Sequence, residues 1–164
     1  MLPAPVLAQP DAAQDRFRAL YKELVETDTT LSNGSCTLAA ERMKARLVAA
    51  GYGAGQFRVV VPPEFPTQGN LVGEVAGSDP KAAPILLVAH IDVVEAKRSD
   101  WERDPFTLVE EDGYFFARGA IDDKAMAAIF VDSLIRYRDE NFRPRHTLKL
   151  ALTCGEEGAP FNGA

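Results

Sequence analysis

Three short clusters in this 164-residue chain carry side chains able to hold divalent cations and move protons: His90-Ile91-Asp92, Asp122-Asp123 and Glu156-Glu157. Imidazole nitrogen and carboxylate oxygen suit zinc, which they bind at about 2.0–2.2 Å, and one carboxylate can bridge two ions. Two such ions roughly 3.5–4 Å apart can share a water and clamp a carbonyl oxygen. Residues two apart on extended backbone face the same way. Asp92 can therefore accept from the His90 imidazole while the other ring nitrogen binds metal. Adjacent carboxylates such as Asp122 and Asp123 repel unless a cation or hydrogen bonds compensate. Of Glu156 and Glu157, one can bind metal while the other, turned elsewhere, takes a proton from water. Each cluster has a plainer reading: a paired core histidine, an N-cap pair opening a helix, a charged surface turn. Their joint occurrence carries the weight.

Each cluster follows a predicted strand. The run Ile85-Leu86-Leu87-Val88-Ala89 is continuously apolar, as expected of a strand buried on both faces under helices. Phe57–Val61, Asn70–Val75 and Thr147–Thr153 read as further strands, and Asp112-Gly113 between Phe106–Glu111 and Tyr114–Ala117 as a two-residue hairpin. Helices are predicted from Asp11 to about Glu26, with Phe17, Leu20, Tyr21, Leu24 and Val25 at helical spacing, and around Leu38, Met43, Leu47 and Val48, closing at Gly51. A third runs from Lys124 to Tyr137, with Met126, Ile129, Phe130, Ser133, Leu134 and Tyr137 available for one face. Helices and strands interleave, which gives an α/β class: a mixed, largely parallel central sheet with helices on both faces. In such sheets ligands bind at strand ends, where the three clusters can converge.

The net charge of -6 and the absence of a basic stripe argue against a nucleic-acid partner. Arg136, Arg138, Arg143 and Arg145 cluster, but Asp139 and Glu140 interrupt them. No apolar run approaches the roughly 20 residues needed to span a bilayer, so no membrane partner is expected. No glycine-rich phosphate loop follows any strand, which sets a nucleotide-binding fold aside. Two cysteines, Cys36 and Cys154, are too few for a disulfide framework and read as small packing side chains. Residues 1–13 read as a tail or the remnant of a secretory signal, leaving the compartment open between cytoplasm and periplasm or secretion. His146 reads as a surface residue, Trp101 as a loop anchor, and Arg118 as a structural donor to carbonyls or a carboxylate near Asp122.

The segments LLVAHIDVV (86–94), WERDPF (101–106), DGYFFARGAIDDK (112–124) and LALTCGEEG (150–158), in this order and spacing, closely resemble the zinc exopeptidase and amidohydrolase family. That family includes acetylornithine deacetylase, succinyl-diaminopimelate desuccinylase, aminoacylase, carnosine dipeptidase and glutamate carboxypeptidase. The resemblance runs over roughly residues 14 to 164. It implies that His90 binds one zinc, Asp92 orients that histidine, and Asp122 bridges both zincs, with a commonly cis peptide bond after it. It further implies that Glu156 is the general base and Glu157 a ligand of the second zinc. The implied reaction is metal-assisted amide hydrolysis of a dipeptide, a peptide terminus or an N-acyl amino acid, with two zinc ions as cofactors and cobalt or manganese as alternatives. Ala125, Glu95 and Cys154-Gly155 depart from the family's usual glycine, proline and Ser-Asp. The family's remaining ligands, an acidic residue and a late histidine, and its smaller dimerising domain are expected past position 164. The chain is therefore expected to be the N-terminal portion of a catalytic domain, inactive alone and weak in zinc binding, with a homodimer only for the complete protein. The competing expectation is a non-enzymatic α/β module whose carboxylates bind no metal.

Overall fold

Apolar side chains at helical spacing need a common surface to bury against, and the helices find it in one another and in a sheet. The computed structural model describes residues 12–163; the tail or signal reading of residues 1–13 therefore lies almost wholly outside it. Helix α1 spans Ala12–Val25 and buries Leu20, Tyr21, Leu24 and Val25, as its spacing predicts. Helix α2 (Cys36–Ala49) starts at Ser35, whose side chain accepts from the Leu38 amide as an N-cap. Helix α3 covers Lys124–Asp139. Partly buried polar pairs tie the helices together: Arg16 Nε donates to Asp132 Oδ1 at 3.0 Å, joining α1 to α3. Arg46 Nε donates to Glu23 Oε2 at 2.7 Å, joining α2 to α1.

The main sheet has the order β1-β2-β6-β3, from Phe57–Val60, Asn70–Val75, Leu148–Thr153 and Ile85–His90. A separate hairpin pairs β4 (Val109–Glu111) with β5 (Tyr114–Phe116). Asp112 and Gly113 between them both take positive φ, as a primed two-residue turn requires. The α/β class and the mixed sheet are as expected. Two details differ. Only β3 and β6 run parallel, while β1–β2 and β2–β6 are antiparallel. Helices α2 and α3 pack against the sheet and α1 packs on those two helices, while Leu86 and Val88 on the outer side of β3 are exposed, so a second helical layer is absent among the described residues.

Strand β3 shows why the two-faced expectation fails. Among the described residues it lies at the sheet edge, and Ile85, Leu86 and Val88 are exposed. An unbroken apolar run records what a strand is able to bury, and the described chain covers one side of it. The inner face, with Ala89, Leu148, Leu150, Leu152, Leu71 and Phe57, meets the helices in a single core. Burying each such large side chain contributes about 1.5–3 kcal/mol.

Helix α3 carries another correction. Its buried face is Ala127, Ala128, Val131, Leu134 and Ile135, while Met126 and Ile129 face out. Two alanines let α3 approach α1 and α2 closely, and that geometry outranks the larger side chains of the neighbouring stripe. On α2 the same holds: Ala39, Ala40, Met43 and Leu47 are buried, whereas Leu38 and Val48 are exposed.

The cysteines correct a further expectation. Cys36 and Cys154 form a disulfide with a Cα–Cα separation of 6.1 Å, closing a loop of 118 residues. It joins the first residue of α2 to the residue after β6.

Candidate metal centre

Strands β3 and β6 run side by side, with His90 paired to Thr153. Their ends therefore deliver His90-Ile91-Asp92 and Glu156-Glu157 to one place. The crossing is stitched by backbone: the Ile91 amide donates to the Thr153 carbonyl at 2.8 Å. Asp122 and Asp123 arrive from the third direction, immediately before α3.

His90 is the hub. Its Nε2 lies 2.9 Å from Asp122 Oδ1 and 3.9 Å from Glu156 Oε2. Potential ligand atoms of His90, Glu156 and Glu157 all lie within 4.8 Å of one another. The His90 side chain is 11% exposed, whereas that of Asp122 is 73% exposed and faces solvent over the imidazole. The Asp122–Asp123 peptide bond is cis, as the resemblance implies.

Asp92 sits behind the imidazole, though not quite as its spacing suggests. His90 Nδ1 is closest to the Asp92 backbone carbonyl, at 3.2 Å, with the carboxylate Oδ1 at 3.5 Å. The other carboxylate oxygen, Oδ2, accepts from the Glu157 amide at 2.9 Å. Asp92 thus braces two clusters at once, His90 through the ring and Glu157 through the backbone. Its Oδ1 is buried without a hydrogen-bond donor, so its charge leans on the imidazole 3.5 Å away.

The titration behaviour follows. Interaction with the Asp92 carboxylate, opposed by burial and helped by Asp122, pushes His90 up to about 9. Burial would raise Asp92, but His90 and the amides of Glu157 and Glu156 hold it below the usual range. Burial, and then repulsion from Asp122 and Glu156, raise Glu157. Asp123 is raised first by burial, with Asp122 and Glu156 adding to it. Five carboxylates around one imidazole form a donor set short of positive charge, with nitrogen and oxygen ligands of the kind zinc takes. The residues present fit a divalent cation.

Supports for the centre include residues that sequence patterning passed over. Asn70 Oδ1 accepts from the Cys154 amide at 2.9 Å, and the Cys154 carbonyl accepts from Gly163 at 2.8 Å. Lys124, read as a helix start, is fully buried, and its Nζ donates to the Thr27 carbonyl at 2.7 Å. Glu95 accepts from the Ser32 amide and hydroxyl at 3.1 and 2.8 Å, holding the loop ahead of α2. Among the other residues weighed, His146 Nδ1 donates to the Ala83 carbonyl. Arg118 lies 5.1 Å over the Trp101 ring, with its Nε buried and unpaired. A stacking contact therefore replaces the donor role expected of Arg118. No spacing rule marks Asn70 or Lys124; both are defined by loops that meet only in the fold.

Two opposed shifts give a pH prediction for the chain in chelator. His90 is raised from an ordinary 6.5 to about 9, so its stabilising effect is full below 6.5 and lost as pH rises through 9. Burial lowers Lys124 from 10.5 to about 7, so its penalty is full below 7 and relieved as pH climbs towards 10.5. Thermal stability of the unaltered chain is expected to stay nearly flat from about pH 7 to 9, where the two slopes cancel. His90→Gln removes one slope, and its melting temperature is expected to rise over the same interval. Melting curves that fall with pH for His90→Gln refute this.

Residues 86–164 match the family described as Peptidase family M20/M25/M40. The match takes in 79 of the 164 residues. Among curated relatives, the N-fatty-acyl-amino acid synthase/hydrolase PM20D1 of Bos taurus is 38% identical over 90 residues, covering 55% of this chain and 18% of its own. A probable succinyl-diaminopimelate desuccinylase of Staphylococcus aureus is 37% identical over 89 residues, covering 54% of this chain and 22% of its own. In structure, human carnosine dipeptidase 1 superposes with a TM-score of 0.69 at 24% identity, over 96% of this chain and 36% of that one. At that identity the likeness speaks for the fold. The chain spans under a quarter of the length of these curated relatives, and about a third of the solved structure.

Proposed function

We propose that the chain contributes part of a two-metal site that hydrolyses an amide or peptide bond in a small substrate. Similarity to that family and to its hydrolase relatives supports metal-dependent hydrolysis in general. The observation that carries the finer reading is the meeting of His90, Glu156 and Glu157 ligand atoms within 4.8 Å, with Asp122 on the imidazole. In this reading His90, Asp122 and Glu157 would hold the metal ions. Bound there, two zinc ions, or cobalt or manganese, supply a Lewis acid for the carbonyl and lower the pKa of water.

The protein's own groups do the rest. Asp92 fixes the imidazole plane from behind and keeps Nε2 turned towards Asp122. Its Oδ2 also pins the Glu157 amide, so the second carboxylate pair cannot drift from the histidine. The Glu156 carboxylate, exposed beside His90, takes a proton from water and returns it to the leaving nitrogen. The C–N bond breaks, hydroxyl joins the acyl carbon, and the amine leaves with the proton. The substrate is a dipeptide, a peptide terminus or an N-acyl amino acid.

A catalytic zinc ordinarily keeps three protein ligands, and this reading supplies three ligand residues for two metals. The 164-residue chain is therefore expected to bind zinc weakly and to show negligible turnover of dipeptides or N-acyl amino acids. Calorimetric zinc titration of the chelator-stripped chain tests the site: binding is expected, with affinity falling about 10–100-fold in Asp92→Asn and further in Asp122→Ala. A chain that takes up no zinc is the non-enzymatic module instead. Turnover that disappears in Glu156→Ala would overturn the expected inactivity while leaving the residue roles standing.

A further inference from the structure

The loop between α1 and α2 carries three buried threonines, Thr27, Thr29 and Thr30. Two of their hydroxyls find acceptors inside the protein. Thr27 Oγ1 donates to the Glu23 carbonyl at 2.7 Å, and Thr30 Oγ1 donates to Asp28 Oδ1 at 2.8 Å. Thr29 Oγ1 is buried and bonds to no protein atom, an arrangement that is costly for a hydroxyl. The backbone holds it there. The Thr29 carbonyl accepts from the Val93 amide at 3.3 Å, which sets Thr29 alongside Asp92-Val93. Gly34 presses on the same residue, since a Cβ at Gly34 would lie 2.5 Å from Thr29 Cα. A small cavity of about 10 Å³ adjoins both strands of this contact, and its polar wall residues are Thr29, Gln68, Asp92 and Glu157. That is about the room one water molecule needs. Asp92 brings a matching atom: Oδ1 is buried without a donor, whereas Oδ2 already accepts from the Glu157 amide.

We propose that Thr29 is a positioning residue of the metal centre, acting through one water molecule in this cavity that accepts from its hydroxyl and donates to Asp92 Oδ1; the assignment rests on the two-metal reading above. Gln68 and Glu157 in the same wall offer the further partners that a buried water takes, two to four in all. The consequence is geometric. With Oδ2 on the Glu157 amide and Oδ1 on the water, the Asp92 carboxylate is held at both oxygens and cannot rotate. The imidazole that it backs then keeps one plane, with Nε2 facing Asp122. Packing alone would be met equally well by valine, which has the same branched shape. The hydroxyl is what Asp92 uses.

Thr29→Val keeps the branched shape and removes the hydroxyl, whereas Thr29→Ser keeps the hydroxyl. Zinc affinity of the chelator-stripped chain is expected to fall about fivefold in Thr29→Val, less than in Asp92→Asn because Thr29 acts one step further from the ligand. Thr29→Ser is expected to stay within about twofold of the unaltered chain. In an Asp92→Asn background, Thr29→Val is expected to add less than about twofold, because the two residues act in series. Unchanged affinity in Thr29→Val, or an equal fall in both backgrounds, overturns the proposal. The chain has two histidines, so the His90 ring can be followed by nitrogen resonance in chelator, without zinc. Thr29→Val is expected to shift its ring nitrogens and Thr29→Ser to leave them in place; a ring that ignores both variants also overturns the proposal. A crystal structure with ordered solvent is expected to show one water within hydrogen-bond distance of Thr29 Oγ1 and Asp92 Oδ1. A direct bond, or no water there, overturns the proposal even where Thr29→Val does not fold. A chain that shows the water and the ring shift but takes up no zinc refutes the two-metal reading and leaves Thr29 holding the His90–Asp92 pair. One that binds zinc with no response to Thr29→Val refutes the role of Thr29 alone.

Discussion

Reducing the Cys36–Cys154 disulfide, or replacing both residues with alanine, is expected to lower unfolding free energy by about 3–5 kcal/mol. The bond closes 118 residues, most of the chain, and a cross-link stabilises mainly by restricting the unfolded state, more so for longer loops. At this chain length the loss corresponds to a fall in melting temperature of roughly 10 °C. Urea titration with and without a thiol reductant measures it. A local consequence separates this bond from a generic staple. Cys154 precedes Gly155-Glu156-Glu157, and it is fixed on three sides, by the disulfide, by Asn70 and by Gly163. Losing the sulfur link frees one of those sides, so zinc affinity is expected to fall along with stability. Unchanged zinc affinity in the reduced, still-folded chain would confine the disulfide to global stability. Bonds of this kind persist in oxidising surroundings, and a thiol count on the natively produced chain, expected to be zero, checks that the bond forms.

The same cysteine pair shows where reading a sequence stops. Two cysteines 118 positions apart carry no spacing signal, and what pairs them is the fold, which sets the first residue of α2 beside the residue after β6. Patterns that depend on neighbours in the chain came through well. The strand limits of Asn70–Val75 match the fold, as does the Asp112-Gly113 turn, because turn chemistry and alternation are local. The buried face of α3 is not the one its larger side chains suggest, because hydrophobicity alone ranks Met126 and Ile129 above Ala127 and Ala128, while close helix contact prefers the alanines. The continuous run in β3 likewise spoke of two buried faces, and its edge position follows from strand order, which no residue in the run encodes. At the centre, the meeting of His90, Asp122, Glu156 and Glu157 follows from local signals, because His90 ends β3, the two glutamates come shortly after β6, and Asp122 lies just ahead of α3. The double brace by Asp92 was only half legible: its reach to the imidazole follows from spacing, whereas its bond to the Glu157 amide crosses 65 positions.

Gly155→Ala is expected to be the most damaging single substitution near the centre. Gly155 adopts φ +96°, and a Cβ placed there would lie 1.8 Å from the Phe161 carbonyl oxygen and 2.8 Å from its carbonyl carbon. Both are backbone atoms, so no side-chain rotation relieves the overlap. The left-handed conformation costs a non-glycine residue about 1–3 kcal/mol, and the forced displacement adds about 1–3 kcal/mol more. The segment that must give way leads back to Gly163, whose amide holds the Cys154 carbonyl, so relief at Phe161 loosens the approach to Glu156 and Glu157. Zinc affinity is expected to fall at least about tenfold, the scale seen when groups that orient ligands are lost. Gly158→Ala supplies the control. That glycine is also left-handed, at φ +102°, but a Cβ there meets nothing within 4 Å, so it reports backbone strain alone. Paired urea and zinc titrations of the two variants isolate the clash. Equal effects in both would mean that close packing against Phe161 contributes nothing to the position of the glutamates, and that β6 alone carries them to His90.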